Sequence, residues 1–298
     1  MHRRNFFKQS TFTLGALTLG QHLPLRLLLQ DPYKITMLNN DIGIFSERGG
    51  TIAFLLSDDG NVVVDSQFPD QSKNLIGELK KRSDKPFHKL INTHHHGDHS
   101  AGNISFKGLV DHVLAHENSK ANQERVAKDQ QSEDKQFFPT QTFTDTWSEK
   151  IGKEKITLHY FGPAHTNGDS LVHFEHANIV HMGDLLFNRR HPFIDRSAGA
   201  SVKNWMVVLD KAIKTFNKKT VYVYGHAAEG FEVTGNEEDL KKFSDYLDKL
   251  LKFAASEIKS GKSKEEILKN TRFPGETEWK GDGFQRPLQA AYEELMAG

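Results

Sequence analysis

The 298-residue chain contains no cysteine. That excludes disulfides, thiolate nucleophiles, cysteine zinc ligands and cysteine-borne lipid anchors. It has no charge excess either: Lys plus Arg and Asp plus Glu stand at 39 each. Composition therefore supplies no electrostatic footprint for nucleic acid, and no nucleic-acid partner is expected. Long apolar runs are missing too. The apolar stretch near the start is broken by Thr, Gly, Gln21 and His22 and is too short and polar to span a bilayer. No short-period repeat, low-complexity tract or long linker interrupts the chain. What is present is a 37% apolar fraction, enough for a sizeable core, and 16 histidines, several of them clustered. Histidine is the commonest metal ligand.

The first 30 residues read as an address. Arg3-Arg4-Asn5-Phe6-Phe7-Lys8 resembles the twin-arginine export motif, followed by a modest apolar stretch without acidic residues. Residues 1–30 are expected to be a signal region, with the mature start between Gly20 and Asp31. The expected destination is the bacterial periplasm, with no membrane anchor after signal removal.

From Tyr33 to Asp65 short β-type runs alternate with turn signals, among them Asp58-Asp59-Gly60-Asn61 as a hairpin turn. Asp70 to Arg82 has helical spacing, with Leu75, Ile76 and Leu79 on one face. A strand over Phe87–Asn92 follows. Apolar runs at 109–114, 156–161, 170–174, 179–181 and 220–224 then alternate with predicted helices at 117–134 and 201–216. After Asn236 the pattern is helical, with Leu240, Phe243, Tyr246, Leu247, Leu250 and Leu251 as a stripe. A capping box begins at Ser263, and a last short helix runs from Pro287 to Met296. This order predicts an α/β protein of two packed sheets with helices outside. The expected domains are a catalytic unit over 31–235 and a helical C-terminal extension over 236–298 packed on it.

The strand ending at Asn92 runs into Thr93-His94-His95-His96-Gly97-Asp98-His99. Residues two apart on an extended segment face the same side, so His94 and His96 can share one metal. Gly97 permits a turn that swings Asp98 and His99 toward a second position. Buried structural histidines explain one such residue and explain four poorly. Three more metal-type residues follow predicted strands, each beside a glycine or within a Gly-containing turn: His165, Asp184 and His226.

This ordered set resembles the metallo-β-lactamase superfamily over about Asn39 to His226. The resemblance implies a four-layer αββα metallo-β-lactamase sandwich with the metals at one edge of the paired sheets. It implies that His94, His96 and His165 hold a first Zn2+, that Asp98, His99 and His226 hold a second, and that Asp184 bridges them. His95, off the ligand pattern, is expected beside the site or at the surface. Two zinc ions roughly 3.5–4 Å apart can hold a bridging hydroxide, because bound water falls to a pKa of about 7. Asp98 is expected to orient that hydroxide and relay a proton. The implied activity is dizinc hydrolysis of an ester, lactone, thioester, amide or related bond in a small molecule.

The substrate is less legible. β-Lactamases of this family generally carry Cys or Ser at the bridging position, where this chain has Asp184, and many place Lys where it has Phe187. The bridging Asp is more like thioesterases, lactonases and phosphodiester or sulfate-ester hydrolases of the superfamily. Asn188, Arg189, Arg190 and His191 follow the bridging residue and are candidates for binding an anionic substrate group. The alternative is a solvated loop whose arginines meet Asp195. Asn103 and Asn167 read as turn residues or as polar donors beside the site. β-Lactam hydrolysis, mononuclear iron chemistry of the persulfide-dioxygenase type, and a non-catalytic metal-binding role remain as other readings.

Overall fold

The computed structural model describes residues 33–281 and 283–297. The expected export signal lies outside the described residues. No helix among them is long and apolar enough to cross a membrane.

The first sheet takes strands β1 (Lys34–Met37), β2 (Ile42–Ser46), β3 (Ile52–Leu55), β4 (Asn61–Val64), β5 (Phe87–Ile91), β6 (Val113–His116) and β7 (Gln141–Phe143), in that spatial order. The early members are antiparallel neighbours, and β4 to β7 run parallel. Helices α1 (Pro69–Arg82), α2 (Gly97–Ser100) and α3 (Glu117–Asp129) fall between the parallel strands. The second sheet contains β8 (Thr146–Ile151), β9 (Glu154–His159), β10 (Leu171–Phe174), β11 (Ile179–His181), β13 (Val221–Val223) and β15 (Thr234–Gly235), in the order β15-β13-β11-β10-β9-β8. Strands β12 (Phe187–Asn188) and β14 (His226–Ala227) form a separate parallel pair. Helix α4 (Val202–Thr215) lies between them, and α5 (Glu237–Lys259), α6 (Lys264–Ile267) and α7 (Gln285–Ala297) follow.

Period-two alternation builds the layers. Ile44, Ala53, Val62 and Val64 face an inner core shared with Leu158, Val172, Phe174 and Val223 of the second sheet. Their chain neighbours Phe45, Phe54 and Val63 face the opposite side, onto Leu75 and Leu79 of α1. The outer face of the second sheet is covered by α4, α5 and α7 through Trp205, Leu209, Phe243, Leu247 and Leu288. The result is helix, sheet, sheet, helix, the expected αββα arrangement.

The strand ends carrying the chemistry meet at one edge. β4 pairs parallel to β5, and β11 pairs parallel to β13, so their carboxyl ends emerge together. Hydrogen bonds between the sheets tie this edge: Thr51 N donates to Gly225 O at 2.9 Å and Ser170 N to Thr93 O at 2.8 Å.

Candidate metal centre

Four of the seven candidate ligands leave the end of β5 in one loop that turns into α2. His165 lies between β9 and β10, Asp184 follows β11, and His226 opens β14. Two glycines allow the close approach. Gly183 has φ +51°, and a Cβ there would run into Thr93; a Cβ on Gly225 would run into the Asp184 carboxylate.

His94, His96, His165 and Asp184 form one group and Asp98, His99 and His226 another, with the ligand atoms of each group within 4.8 Å of one another. In the first, His96 Nδ1 lies 3.2 Å from His94 Nε2 and 2.9 Å from His165 Nε2. The partners of the far ring nitrogens assign the tautomers. His165 Nδ1 faces the Phe193 carbonyl at 2.8 Å and must donate to it. His96 Nε2 donates to Asp195 Oδ2 at 3.0 Å. The Thr93 hydroxyl spends its proton on Asp65, 2.8 Å away, so it accepts from His94 Nδ1 at 3.1 Å. Each neutral ring then turns a lone pair to the same point. Three converging lone pairs repel unless a cation stands among them. Burial disfavours the charged form of two of these rings: it drives His94 well below its ordinary pKa and His165 down to about 3.

The second group is built on carboxylates. Asp98 Oδ2 is 3.1 Å from His226 Nε2 and 3.8 Å from His99 Nε2. Asp184 stands between the groups, with Oδ1 3.0 Å from His99 Nε2 and Oδ2 3.4 Å from His226, 3.5 Å from His165 and 3.9 Å from His94. His99 Nε2 and Asp184 Oδ1 are both buried, yet their mutual orientation makes no hydrogen bond. Two buried ligand-type atoms left without a hydrogen bond fit a pair that shares a metal. Burial opposes the charged forms here, but the charges outweigh it. Asp184, Asp65 and Asp98 lift His99 well above its ordinary value, and the two carboxylates raise His226 to about 9. His99 and His226 in turn hold Asp98 at about 2 despite burial. A metal ion competes with those protons for the same nitrogens, and imidazoles and carboxylates in this number suit zinc.

Two carboxylates that the sequence does not assign to the site stand behind the ligands. Asp65 is fully buried and accepts from His99 Nδ1 at 2.7 Å and Thr93 N at 2.7 Å. Asp195 accepts from His96, and His95 Nε2 lies 3.4 Å from the same oxygen. His95 is therefore buried beside the site. Asn103 bonds Asn92 and Ser66, and Asn167 bonds Asn122, as structural residues do.

A cleft of about 690 Å³ opens over the site, lined by His96, Asp98, Asp184, His226, Phe187, Phe193, Arg190 and His191, and by Lys280 and Arg286. A larger depression of about 1010 Å³, around Asp58, Arg82 and Glu154, contains none of the ligands. The four candidate substrate residues divide. Arg190 and His191 line the cleft, the latter with Nδ1 2.8 Å from the Tyr246 hydroxyl. Asn188 and Arg189 do not reach it. Asn188 donates to Glu232 O at 2.9 Å, and buried Arg189 pairs with Glu278 at 3.0 Å and donates to Asn188 Oδ1 at 3.2 Å. The expected partner Asp195 is occupied by the histidines instead.

A family model described as the metallo-beta-lactamase superfamily matches residues 47–226. The chain is 26% identical over 216 residues to metallo-beta-lactamase type 2 of Elizabethkingia meningoseptica, covering 71% of this chain and 83% of that one. It is 24% identical over 206 residues to metallo-beta-lactamase IND-1 of Chryseobacterium indologenes, covering 67% and 82%. The structure of a metallo-beta-lactamase from Pontibacter korlensis superposes with a TM-score of 0.61 at 18% identity, covering 72% of this chain and 99% of that one. That likeness is one of fold.

Proposed function

From the premise that the chain belongs to the metallo-beta-lactamase superfamily, we propose that it is a dizinc hydrolase of a small-molecule ester, lactone, thioester, amide or related bond. The observation that carries this reading is the convergence of three imidazole lone pairs beside a second His/Asp group, with Asp184 between them and a cleft open above. His94, His96 and His165 would hold one zinc, Asp98, His99 and His226 the other, and Asp184 would touch both. Bound zinc supplies a water activated near neutral pH and Lewis-acid polarisation of the electrophile. The chain's own residues supply the rest. Asp98, ionised at neutral pH and lining the cleft, accepts the hydrogen bond of an attacking water and fixes its direction. Phe187, stacked on His226 with ring centroids 5.4 Å apart, and Phe193, 5.3 Å from His96, present apolar surface that limits competing water.

The relatives' names make β-lactam hydrolysis the second reading. Against it stands Asp184, at the bridging position where β-lactamases of the family generally carry Cys or Ser. The proposal sets the enzyme in the bacterial periplasm, on the strength of the twin-arginine start.

Asp184→Ala tests the core of the proposal. Metal analysis should find about two zinc per wild-type chain, and the variant should lose metal and hydrolysis together. Full zinc content with normal turnover would overturn the bridging role. About one iron per chain without hydrolysis would move the assignment to the dioxygenase reading.

A further inference from the structure

The cleft over the ligand groups has walls of two origins. One comes from the segment after β12, with Arg190, Pro192 and Phe193. The facing one comes from the C-terminal part, with Lys280, Gly281, Gly283 and Arg286. The family match ends at residue 226, so this second wall belongs to a part of the chain outside the shared span.

That wall is fastened beside the site. Lys280 N donates to Arg189 O at 2.8 Å and His191 N to Lys280 O at 3.3 Å, a backbone bridge that sets Arg190 next to Lys280. The Arg189–Glu278 ion pair at 3.0 Å and the Arg189 guanidinium over the Trp279 ring at 5.7 Å hold it from behind. Buried Arg189 therefore acts as the clasp, and its neighbour Arg190 is left to face the cleft.

Among the described residues the charge on this rim is one-sided. Arg190, Lys280 and Arg286 are exposed and line the cleft. None makes an ion pair among the described residues; Lys280 Nζ lies 5.4 Å from the centroid of the Phe231 ring, a contact that leaves its charge uncompensated. Asp282, between Lys280 and Arg286 in sequence, is outside the described residues. Of the carboxylates lining the cleft, Asp98 and Asp184 are committed to the histidines, which leaves Glu229 against three basic side chains. Low-dielectric walls focus such a field on the space a substrate must enter.

We infer that the cleft selects substrates bearing an anionic group, a carboxylate or phosphate-type oxyanion, which Lys280, Arg286 and Arg190 hold while the scissile bond lies over the Asp184 end of the cleft. The inference rests on the hydrolase reading and names the substrate class for it.

The test uses zinc-loaded protein and two esters that differ in one terminal group: 4-nitrophenyl pentanoate, which is neutral, and the mono-4-nitrophenyl ester of glutaric acid, which is anionic. Wild type should favour the anionic ester in kcat/KM, chiefly through KM. In Lys280→Ala/Arg286→Ala that preference should fall roughly tenfold, and in Lys280→Glu it should reverse. Competitive inhibition by glutarate and by glycerol 3-phosphate ranks carboxylate against phosphate. Equal preference in wild type and both variants overturns the inference. Should neither ester be cleaved, the hydrolase reading is what fails for esters. Glutarate titrated calorimetrically into the same zinc-loaded proteins then decides the inference: binding weakened by the double substitution supports it, and equal or absent binding overturns it.

Discussion

Every imidazole in the first ligand group has its far nitrogen tied to an acceptor, and that tie decides which nitrogen faces the site. For His96 the acceptor is Asp195, itself held by Ser197 Oγ at 2.5 Å and Ala198 N at 3.1 Å. A carboxylate behind a ligating imidazole fixes the ring and raises its basicity. Asp195→Asn keeps the volume and removes the charge, so zinc affinity should fall roughly 10- to 100-fold, measured by titration against a competing chelator. Unchanged affinity with an unchanged fold would deny Asp195 that positioning role. The same geometry shows what a sequence exposes at this scale. His94, His96, Asp98 and His99 are dense enough in one loop to exclude coincidence, and Gly beside Asp184 and His226 marks strand ends where backbone comes close. Asp65 and Asp195 carry no such spacing: one acid after an apolar strand reads as a turn. Arg189 fails for a related reason. Its side chain is buried against Glu278 and Trp279 rather than in the cleft, and local sequence does not say which face of a loop an arginine takes.

At the scale of elements, amphipathic helices were the readable part. The expected stripe on α5 is buried against α4 and α7, with Leu240, Phe243, Leu247 and Leu250 fully enclosed. The capping box at Ser263 forms as its residues require, each member bonding the other's backbone. β8 carries a weak apolar signal because it is a sheet-edge strand, Thr146-Trp147-Ser148-Glu149-Lys150-Ile151, whose side chains alternate between exposed and half-buried until the buried Ile151. Charged residues on an edge discourage pairing with other chains and also erase the apolar signal. The apolar run at 109–114 divides between a turn and a strand. Leu109 and Val110 pack into the core from a turn, and only Val113–His116 is strand. Because α5 joins the second sheet to the C-terminal wall of the cleft, its packing bears on more than itself. Leu247→Ala opens a cavity among Trp205-side and α7-side neighbours and should cost about 2–5 kcal/mol. Urea unfolding should show a lower midpoint at unchanged slope, and a loss below about 1 kcal/mol would mean the stripe repacks.

For the whole molecule, the consequential fact is which sheet each ligand comes from. His94, His96, Asp98 and His99 follow β5 of the first sheet, whereas His165 and Asp184 lie beside strands of the second and His226 opens β14, just past β13 of that sheet. Each ligand group joins residues after β5 to residues from the later half of the chain, so an ion in either place would tie the two halves together at this edge. The unfolded chain cannot reproduce that convergence, because its ligands are separated by up to 132 residues, from His94 to His226. Ligands that bind the folded chain alone stabilise it by mass action, about 4 kcal/mol at a thousandfold excess over Kd. Chelation of the zinc-loaded protein should therefore lower the thermal midpoint by several degrees, at roughly 2–4 °C per kcal/mol for a chain somewhat smaller than this one, and added zinc should restore it. Asp184→Ala should begin low and respond weakly to either treatment, since the residue common to both groups is gone. Differential scanning calorimetry with metal analysis of the same samples makes the comparison. A midpoint that stays put after metal analysis proves the zinc removed would mean that hydrogen bonds such as Thr51 N to Gly225 O, and the core behind them, already close this edge, leaving the metals a chemical role without a structural one.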